Sequence, residues 1–501
     1  MQASSIIVIV LVLAITVLGF FAANWRRSGT LDHMHEWALG GRNFGTVISW
    51  FLIGGDLYTA YTFIAVPALA YGAGPIAFFA LPYTIVAYPF GILVLARFWS
   101  VARNRGYITA ADFVRDRFGD RSLELTIAIT GVIAILPYIA LQLVGMQVVF
   151  QQLGGFFALD NGKVALAISF LFLAAYTYTS GLRAPALIAL IKDTLIYITI
   201  IVAIIAVTRM YGGWSGIFSH AQAALAAKPK PATLLLAPSQ YFVYGTLAFG
   251  SALALFIYPH SITSLLSAKS RAVVERNMAL LPIYSLLLGF LALLGYAALA
   301  AGIKPANGNA QLVIPMLFAK IFPDWFAGVG YAAIVIGALV PAAIMAIGGA
   351  NLFASNIFQQ FHAERNPGQT SRAKLLTLVI CVVSLLFVIF IQPKYAIGFQ
   401  FLGGAWILQT FPAFVIGLFT RWFNSKALLL GWALGIISGT YMAVMTNYTA
   451  AFPLHIGGGA LVGYGPFYAL ILNLIVCVIF TPIFNAAGAR TPDATSAADY
   501  A

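Results

Sequence analysis

Residues 44–72 read FGTVISWFLIGGDLYTAYTFIAVPALAYG, an apolar run that two glycines and an aspartate interrupt near its middle. About 20 helical residues cross a hydrocarbon core of about 30 Å, so the run is long enough to span a bilayer. Gly54, Gly55 and Asp56 fall near mid-depth, and Pro67 lies further along. Glycines and a carboxylate at that depth are typical of a membrane helix whose backbone unwinds around a polar site.

A second run of this kind is found at residues 239–263, SQYFVYGTLAFGSALALFIYPHSIT. Gly245, Gly250 and Ser251 lie at a comparable depth, and Pro259 follows them. This run starts five apolar runs after the first, which is the offset expected of an inverted repeat of five plus five helices. Glycines that merely allow close helix packing are the alternative, and the carboxylate in the first run favours the interruption.

The composition places the whole chain in a membrane. Of its 501 residues, 61% are hydrophobic and 8% are charged, and the mean hydropathy is +0.94. We therefore expect an all-α polytopic membrane protein with about thirteen transmembrane helices, in which helices 2 to 11 form the repeat core and helices 2 and 7 are broken. The predicted spans are 4–23, 44–70, 76–97, 124–152, 164–181, 185–208, 239–264, 279–303, 326–350, 374–393, 398–420, 427–447 and 463–486.

These spans divide the chain into four parts. Residues 1–43 hold the first transmembrane helix and a cytoplasmic loop, and residues 44–420 hold the inverted-repeat core. Residues 421–486 add two peripheral helices, and residues 487–501, which are polar and rich in alanine and aspartate, are expected to be a disordered cytoplasmic tail. A short surface helix is expected at 216–226, within the longest outer loop.

The basic residues orient the chain. The net charge of +13 lies almost wholly in the short connections, which excludes a nucleic-acid partner and indicates contact with a lipid bilayer. Arg26 and Arg27 follow the first span and no basic residue precedes it. With the start of that span outside, nineteen of the 27 Lys and Arg residues fall on the cytoplasmic side, seven fall outside and Lys192 falls within a span. This bias predicts a periplasmic N-terminus and a cytoplasmic C-terminus.

Four segments, in order along the chain, resemble the sodium/solute symporter family. They are LGGRNFG (39–45), the GGD break (54–56), RGYITAADFVRDRFGDR (105–121) and SGLRAPA (180–186). The resemblance implies a ten-helix inverted-repeat core with substrate and ion sites near the middle of the membrane.

Within that family, three further segments resemble the bacterial monocarboxylate permeases. They are SGLRAPALIALIKD (180–193), ALFIYPHSIT (254–263) and GALVPAAIMAI (337–347). This resemblance implies import of lactate, pyruvate, propionate, acetate and, in some members, alanine across the bacterial inner membrane. We expect the monomer to suffice for this activity and no cofactor to take part.

The chain departs from the family at the coupling ion. The resemblance implies a sodium site made by two adjacent hydroxyl residues of span 9 and backbone carbonyls of the first broken helix. Met345 and Ala346 stand at the two hydroxyl positions. Because a thioether and a methyl group offer Na⁺ no hard oxygen ligand, coupling to H⁺ is favoured over coupling to Na⁺.

Four ionisable residues fall in the interior of predicted spans, away from their ends, and each charge at the bilayer centre costs about 2.5–3.5 kcal/mol on insertion scales. We assign Lys192, Asp56 and Asp193 to ion coupling, with the Lys192 ammonium standing where a sodium ion would otherwise lie. The alternative is a static pair between Lys192 and a carboxylate such as Asp56. His260, which follows Pro259, is a candidate inner-gate residue, with a packed neutral histidine as the alternative.

Polar side chains at the two breaks are candidates for binding a monocarboxylate, which needs donors for two oxygens and an apolar pocket for its tail. Helix N-terminal amides at a break favour an anion in the same place. Packing between helices is the alternative for each tyrosine and threonine. The candidates are Tyr58, Thr59 and Tyr61 on span 2, Thr246 and Ser251 on span 7, and Gln409 on span 11.

The sequence thus predicts a secondary active symporter that imports small monocarboxylates by alternating access, with no enzymatic activity and no metal site. Cys381 and Cys477 lie in apolar runs outside any metal or redox spacing, and no nucleophile or nucleotide-binding motif occurs in a plausible context. The alternatives are a Na⁺-coupled symporter of another small organic solute and a membrane receptor that senses a solute.

Overall fold

The computed structural model describes residues 2–27, 29–228, 231–361, 368–390, 396–488 and 492–500. Helices account for most of these residues, and one β-hairpin lies between the last two helices. The α-helices are α1 (Ala3–Phe21), α2 (Met34–Leu39), α3 (Thr46–Gly55), α4 (Val66–Ala73), α5 (Ala80–Arg105), α6 (Ala110–Phe118), α7 (Arg121–Leu153), α8 (Lys163–Ser180), α9 (Arg183–Met210), α10 (Gly213–Ala226), α11 (Tyr241–Leu255), α12 (Pro259–Leu266), α13 (Arg271–Leu280), α14 (Pro282–Ala300), α15 (Val313–Ile321), α16 (Asp324–Leu352), α17 (Gln369–Phe390), α18 (Ala396–Leu408), α19 (Phe411–Phe414), α20 (Ser425–Met445) and α21 (Gly465–Ala486). The strands are β1 (Ala451–Ile456) and β2 (Gly459–Tyr464).

Within the described residues, eleven helical stretches are long and apolar enough to cross a membrane, or twelve when one bent pair counts as a span. The predicted count of thirteen is not confirmed. In the second predicted span, α3 has only ten residues, and the rest belongs to a helical stretch, Thr62–Arg105, that also contains the third. Gly74, with φ 72° and ψ −134°, turns the chain between α4 and α5 within that stretch.

The first break lies where the sequence predicts it. α3 ends at Gly55, the next four residues leave the α-helix, and residues 61–65 form a π-helical turn before α4 begins. The break exposes backbone carbonyls that a continuous helix would use internally.

The second break lies later than predicted. α11 continues through Gly250 and Ser251 to Leu255, and the chain then bends by 50° before α12 starts at Pro259. The physical reason is that glycine is tolerated within a buried membrane helix. Proline, by contrast, has no backbone N–H with which to continue a helix, and it is favoured at the first position of the next helix. Gly250 instead makes room for a neighbour, because a Cβ there would lie 2.7 Å from the ring of Tyr464.

The densest part of the core is α16, which is buried along almost its whole length and packs against α1, α7, α9 and α12. Helices α20 and α21 pack mainly against each other at the periphery. α10 confirms the surface helix expected in the outer loop. The β-hairpin is an exception to the all-α prediction, and its two strands pair through a turn at Gly457 and Gly458, both at positive φ.

We name the two ends of the molecule after the elements that lie there. The hairpin face carries β1 and β2, and the tail face, at the other end of α21, carries residues 492–500. On the tail face the buried Arg42 guanidinium donates to the carbonyls of Ala102 and Tyr107, and fixes the loop before α3 to the end of α5. Burial, together with the nearby Arg103, lowers the pKa of Arg42 to about 10, so this side chain stays charged at neutral pH.

The prediction of a disordered tail is wrong for residues 492–500. The Asp493 carboxylate lies 2.9 Å from the Arg117 guanidinium, and the Arg97 guanidinium lies 4.5 Å from the centre of the Tyr500 ring. Composition did not reveal these contacts, because the arginines belong to connections far away in the sequence.

Candidate functional site

The buried lysine of α9 lies against the first break. Lys192 is 0% exposed, and its Nζ is 2.7 Å from the Gly55 carbonyl oxygen, 3.2 Å from that of Tyr58 and 2.9 Å from Oδ1 of Asp193. An ammonium has three N–H donors, and here it faces three acceptors. The Lys192 amine thus binds the backbone carbonyls that have lost their helical partners at the break.

The neighbouring carboxylate is held on its other side by α14. Tyr284 donates its hydroxyl to Oδ2 of Asp193 at 3.1 Å, and the Tyr58 hydroxyl donates to the backbone carbonyl of Tyr284. The rings of Tyr58, Tyr197 and Tyr284 pack together around this pair. Although consecutive helix residues diverge by about 100°, the long stem of Lys192 brings its amine back to Asp193.

Asp56 joins the two broken helices. Its Oδ2 accepts a hydrogen bond of 2.9 Å from the Ser264 hydroxyl of α12. Its Oδ1 has no hydrogen-bond partner, and the carboxylate has no ion pair, among the residues that the structure describes. Lys192 therefore pairs with Asp193 and not with Asp56, the partner considered from the sequence.

A cavity lies between the second break, α5, α7, α18 and the end of β2. Four tyrosines, a serine and a glutamine supply its polar groups, and aromatic and aliphatic side chains supply the rest. The Tyr258 hydroxyl and Oε1 of Gln400 are buried at the cavity wall, and the two side chains lie within hydrogen-bonding reach of each other. The lining residues are Phe79, Tyr83, Tyr138, Ser251, Ala254, Leu255, Tyr258, Gln400, Phe401, Gly404 and Tyr464.

Of the predicted substrate-binding residues, Ser251 lines this cavity. Thr59 does not line the cavity, but it is buried and lies within reach of the hydroxyl of Tyr138, which does. Tyr58 instead supports α14 through its hydrogen bond to Tyr284. The side chain of Tyr61 lies outside the described part of the structure.

Thr246 and Gln409 do not line this cavity, and their assignment to substrate binding stays a prediction. Thr246 sits near the hairpin face, where its hydroxyl accepts the backbone N–H of Tyr464 at 3.0 Å. Gln409 follows the last residue of α18, and the turn there directs its side chain toward α21, where Oε1 accepts from Asn473 at 3.2 Å. A polar residue in a predicted span gives its depth, but the local helix phase decides which neighbour it meets.

His260 lies between two tyrosine rings. The centre of its ring is 5.3 Å from that of Tyr138 and 5.4 Å from that of Tyr258, and the side chain is 2% exposed. Its backbone packs against Gly348 of α16. A second, mostly apolar cavity lies on the tail-face side of α12, where Pro259, Ile262 and Thr263 contribute to its lining, and His260 lines neither cavity. This position is compatible with both alternatives for His260, a residue of an inner gate and a histidine that only packs between its neighbours.

Ser251 is the one polar residue of this lining that the sequence predicts, and the others are Tyr83, Tyr138, Tyr258, Gln400 and Tyr464. Tyr258 immediately precedes Pro259, and the proline could have located both the break and this tyrosine. Gln400 and Tyr138 are polar groups in apolar spans, with no local signal of the direction they face. Tyr464 belongs to a hairpin that the sequence reading did not predict.

Two broken helices that meet at buried charges beside a cavity define a membrane transport protein rather than an enzyme. The model of the Sodium:solute symporter family matches residues 37–435, and the chain belongs to that family. A monocarboxylate transport permease protein of Rhizobium johnstonii (strain DSM 114642 / LMG 32736 / 3841) is 48% identical over 474 residues, which cover 94% of this chain and 95% of that protein. The sodium/pantothenate symporter of Escherichia coli (strain K12) is 25% identical, with 96% of each chain covered.

Solved structures show the same fold at low sequence identity. A Na⁺-coupled sialic acid symporter in a substrate-bound, outward-open state matches with a TM-score of 0.79 at 16% identity, over 99% of this chain and 100% of that one. A nucleobase-cation-symport-1 family transporter in a closed conformation matches with a TM-score of 0.56 at 13% identity, over 92% and 96% of the two chains. These matches confirm the predicted class, an inverted-repeat symporter fold with two broken helices.

Proposed function

We propose that the protein is a symporter that imports small monocarboxylates by alternating access and couples their uptake to H⁺. The proposed coupling to H⁺ rests on the position of Lys192, whose amine hydrogen-bonds the backbone carbonyls of Gly55 and Tyr58 at the first break. The relative at 48% identity, named as a monocarboxylate transport permease, supports the substrate class.

The cavity suits a small carboxylate with a short tail. Hydroxyl donors such as Tyr258 and Ser251 can each hydrogen-bond a carboxylate oxygen, and Phe79, Leu255 and Phe401 offer apolar surface to the tail. Among the residues described around the cavity, its lining carries no lysine or arginine. Neutral hydroxyl and amide donors can hold one negative charge, so we expect monoanions to be favoured over substrates with several charges.

The amine competes with a metal ion for the same ligands. Backbone carbonyls and a carboxylate oxygen are the hard oxygen ligands that an alkali cation binds, and the Lys192 amine lies 2.7–3.2 Å from three of them. Between Asp324 and Ala354 the sequence contains no serine or threonine, so the middle of α16 offers no hydroxyl ligand. In this proposal, gain and loss of a proton at Lys192 replace binding and release of a cation.

Proton loss from Lys192 weakens its hold on Gly55, Tyr58 and Asp193 together. These groups belong to α3, the first break and α9, so the change alters the contacts between the broken helix and its neighbour. One proton carried with one monoanion makes the cycle electroneutral. We also propose that the tail face is cytoplasmic, since the bias of nineteen to seven basic residues favours that side.

A Na⁺-coupled carrier of another solute is the second candidate. The family description and the sodium/pantothenate relative favour it. In that case a sodium ion must bind away from the carbonyls that Lys192 occupies, because two cations do not share one set of ligands.

Uptake by purified protein in liposomes tests the substrate. We expect accumulation of labelled lactate, competition by pyruvate, propionate and acetate, and weaker or no competition by proline. Binding without accumulation would instead identify a sensor. Competition by proline alone would remove the monocarboxylate assignment.

A further inference from the structure

The β-hairpin lies outside the ten-helix core, yet it contributes to the cavity. Tyr464, the last residue of β2, is 3% exposed and lines the cavity beside Ser251 of α11 and Gly404 of α18. Its ring centre lies 6.4 Å from that of Phe401. A segment that follows α20 therefore supplies part of the wall on the hairpin face.

The core accommodates this ring by contacts from two helices. A Cβ on Gly250 would lie 2.7 Å from Cδ1 of Tyr464, and a Cβ on Gly404 would lie 3.4 Å from its hydroxyl oxygen. Thr246, one turn of α11 before Gly250, accepts the backbone N–H of Tyr464 at 3.0 Å. Both the backbone and the ring of Tyr464 are thus fixed to α11.

The hairpin also holds Tyr464 from its own side. Ala451 pairs with Tyr464 at the base of the hairpin, and the N–H of Gly465 donates to the Ala450 carbonyl at 3.2 Å. α21 begins at the next residue, Gly465. A side chain placed between a strand, a helix start and two glycines has little freedom to move out of the cavity.

We propose that Tyr464 limits the length of the acid that the cavity accepts, so that a residue outside the repeat core determines substrate size. This inference rests on the proposed function for its substrate class. The ring lies against Phe401, part of the apolar surface that the tail of the acid would meet, and its attachment to α11 makes the limit steep. We expect short acids such as acetate and propionate to be accepted, and longer ones such as pentanoate and hexanoate to meet the ring.

Uptake by three variants tests the limit. Tyr464→Ala removes the ring, Tyr464→Phe keeps it, and Tyr468→Phe is the matched control, because the Tyr468 hydroxyl donates to Leu461 of the hairpin at 2.9 Å without lining the cavity. We expect Tyr464→Ala to lower KM for pentanoate and hexanoate by roughly fourfold per methylene group that enters the vacated space, and to raise KM for acetate. The Phe variants should keep the wild-type order of acids. A Tyr464→Ala variant that transports with the wild-type order would overturn the proposal.

Thiol labelling tests the wall without any substrate. In a Cys381→Ala/Cys477→Ala background, Ser251→Cys places one thiol in the cavity, and a maleimide added from the hairpin side reports access to it. We expect Tyr464→Ala to raise the labelling rate several-fold and Tyr464→Phe to leave it unchanged; equal rates in all three proteins would overturn the proposal. If the wild type takes up no monocarboxylate, the proposed function fails, and the labelling rates alone then decide whether Tyr464 closes the cavity.

Discussion

The Ser264 hydroxyl donates to the Asp56 carboxylate across 2.9 Å, and this hydrogen bond connects the two broken helices. Asp56 follows α3 directly, and Ser264 lies in α12, after the second break. Any movement of one broken helix relative to the other must therefore keep, stretch or break this contact. It is a direct mechanical link between the two halves of the repeat.

Ser264→Ala is expected to destabilise the protein by about 1–3 kcal/mol, because it leaves the buried Asp56 carboxylate without its donor. The measurement is thermal unfolding in detergent, combined with uptake at fixed substrate concentration, which we expect to fall. Thr208→Val is the control, since the Thr208 hydroxyl bonds only within its own helix among the described residues. Equal melting temperatures for Ser264→Ala and the control would contradict the link.

The ion pair between Lys192 and Asp193 predicts a reciprocal rescue. Lys192→Met leaves a buried carboxylate without its cation and is expected to cost about 3–5 kcal/mol of folding free energy. Lys192→Met/Asp193→Asn removes both charges and should recover most of this loss. Lys304→Met, in an exposed loop, is the control.

The same two variants separate stability from coupling. Neither should accumulate substrate in response to a pH gradient, although the double variant is expected to be folded. Accumulation at the wild-type level by the double variant would exclude Lys192 from coupling and leave it as a static pair.

Gln400 and Gln409 lie on the same predicted span and are expected to behave differently. Gln400→Ala removes a polar group that lines the cavity and should raise KM roughly 10- to 100-fold if that group bonds the carboxylate or orders its donors. Gln409→Ala breaks a contact with Asn473 and should lower the melting temperature while KM stays unchanged. Uptake kinetics over a range of lactate concentrations decide between the two, and a raised KM for Gln409→Ala alone would reverse this placement.

The ordered tail predicts a protective contact on the tail face. Tyr500→Ala removes the ring that lies against the Arg97 guanidinium and is expected to cost about 1 kcal/mol. Because the tail also covers Arg117, limited trypsin digestion should cut the variant faster at that face. Ser496→Ala, an exposed position in the same segment, is the control. Identical digestion of the two variants would argue against the packed tail.

The sequence was sufficient for the membrane class, the repeat core and the first break, because hydropathy and the Gly-Gly-Asp triplet report depth and helix interruption directly. It was insufficient wherever the contacts depended on the direction in which a side chain points from its helix. Gln409 and Thr246 lie in or directly beside the expected helices, but the local helix phase directs them toward Asn473 and Tyr464. Tyr464 and the tail contacts depend on segments distant in sequence, and no local pattern indicates which distant groups will meet.

The most direct test of the account is the driving force for uptake by the wild-type protein in liposomes. Labelled lactate is offered either with a pH gradient, acidic outside and free of Na⁺, or with an inward Na⁺ gradient at equal pH. Because the Lys192 amine occupies the carbonyls of the first break, we predict accumulation with the pH gradient, its loss on adding a protonophore, and no response to Na⁺. Accumulation driven by Na⁺ and indifferent to the pH gradient would contradict the account.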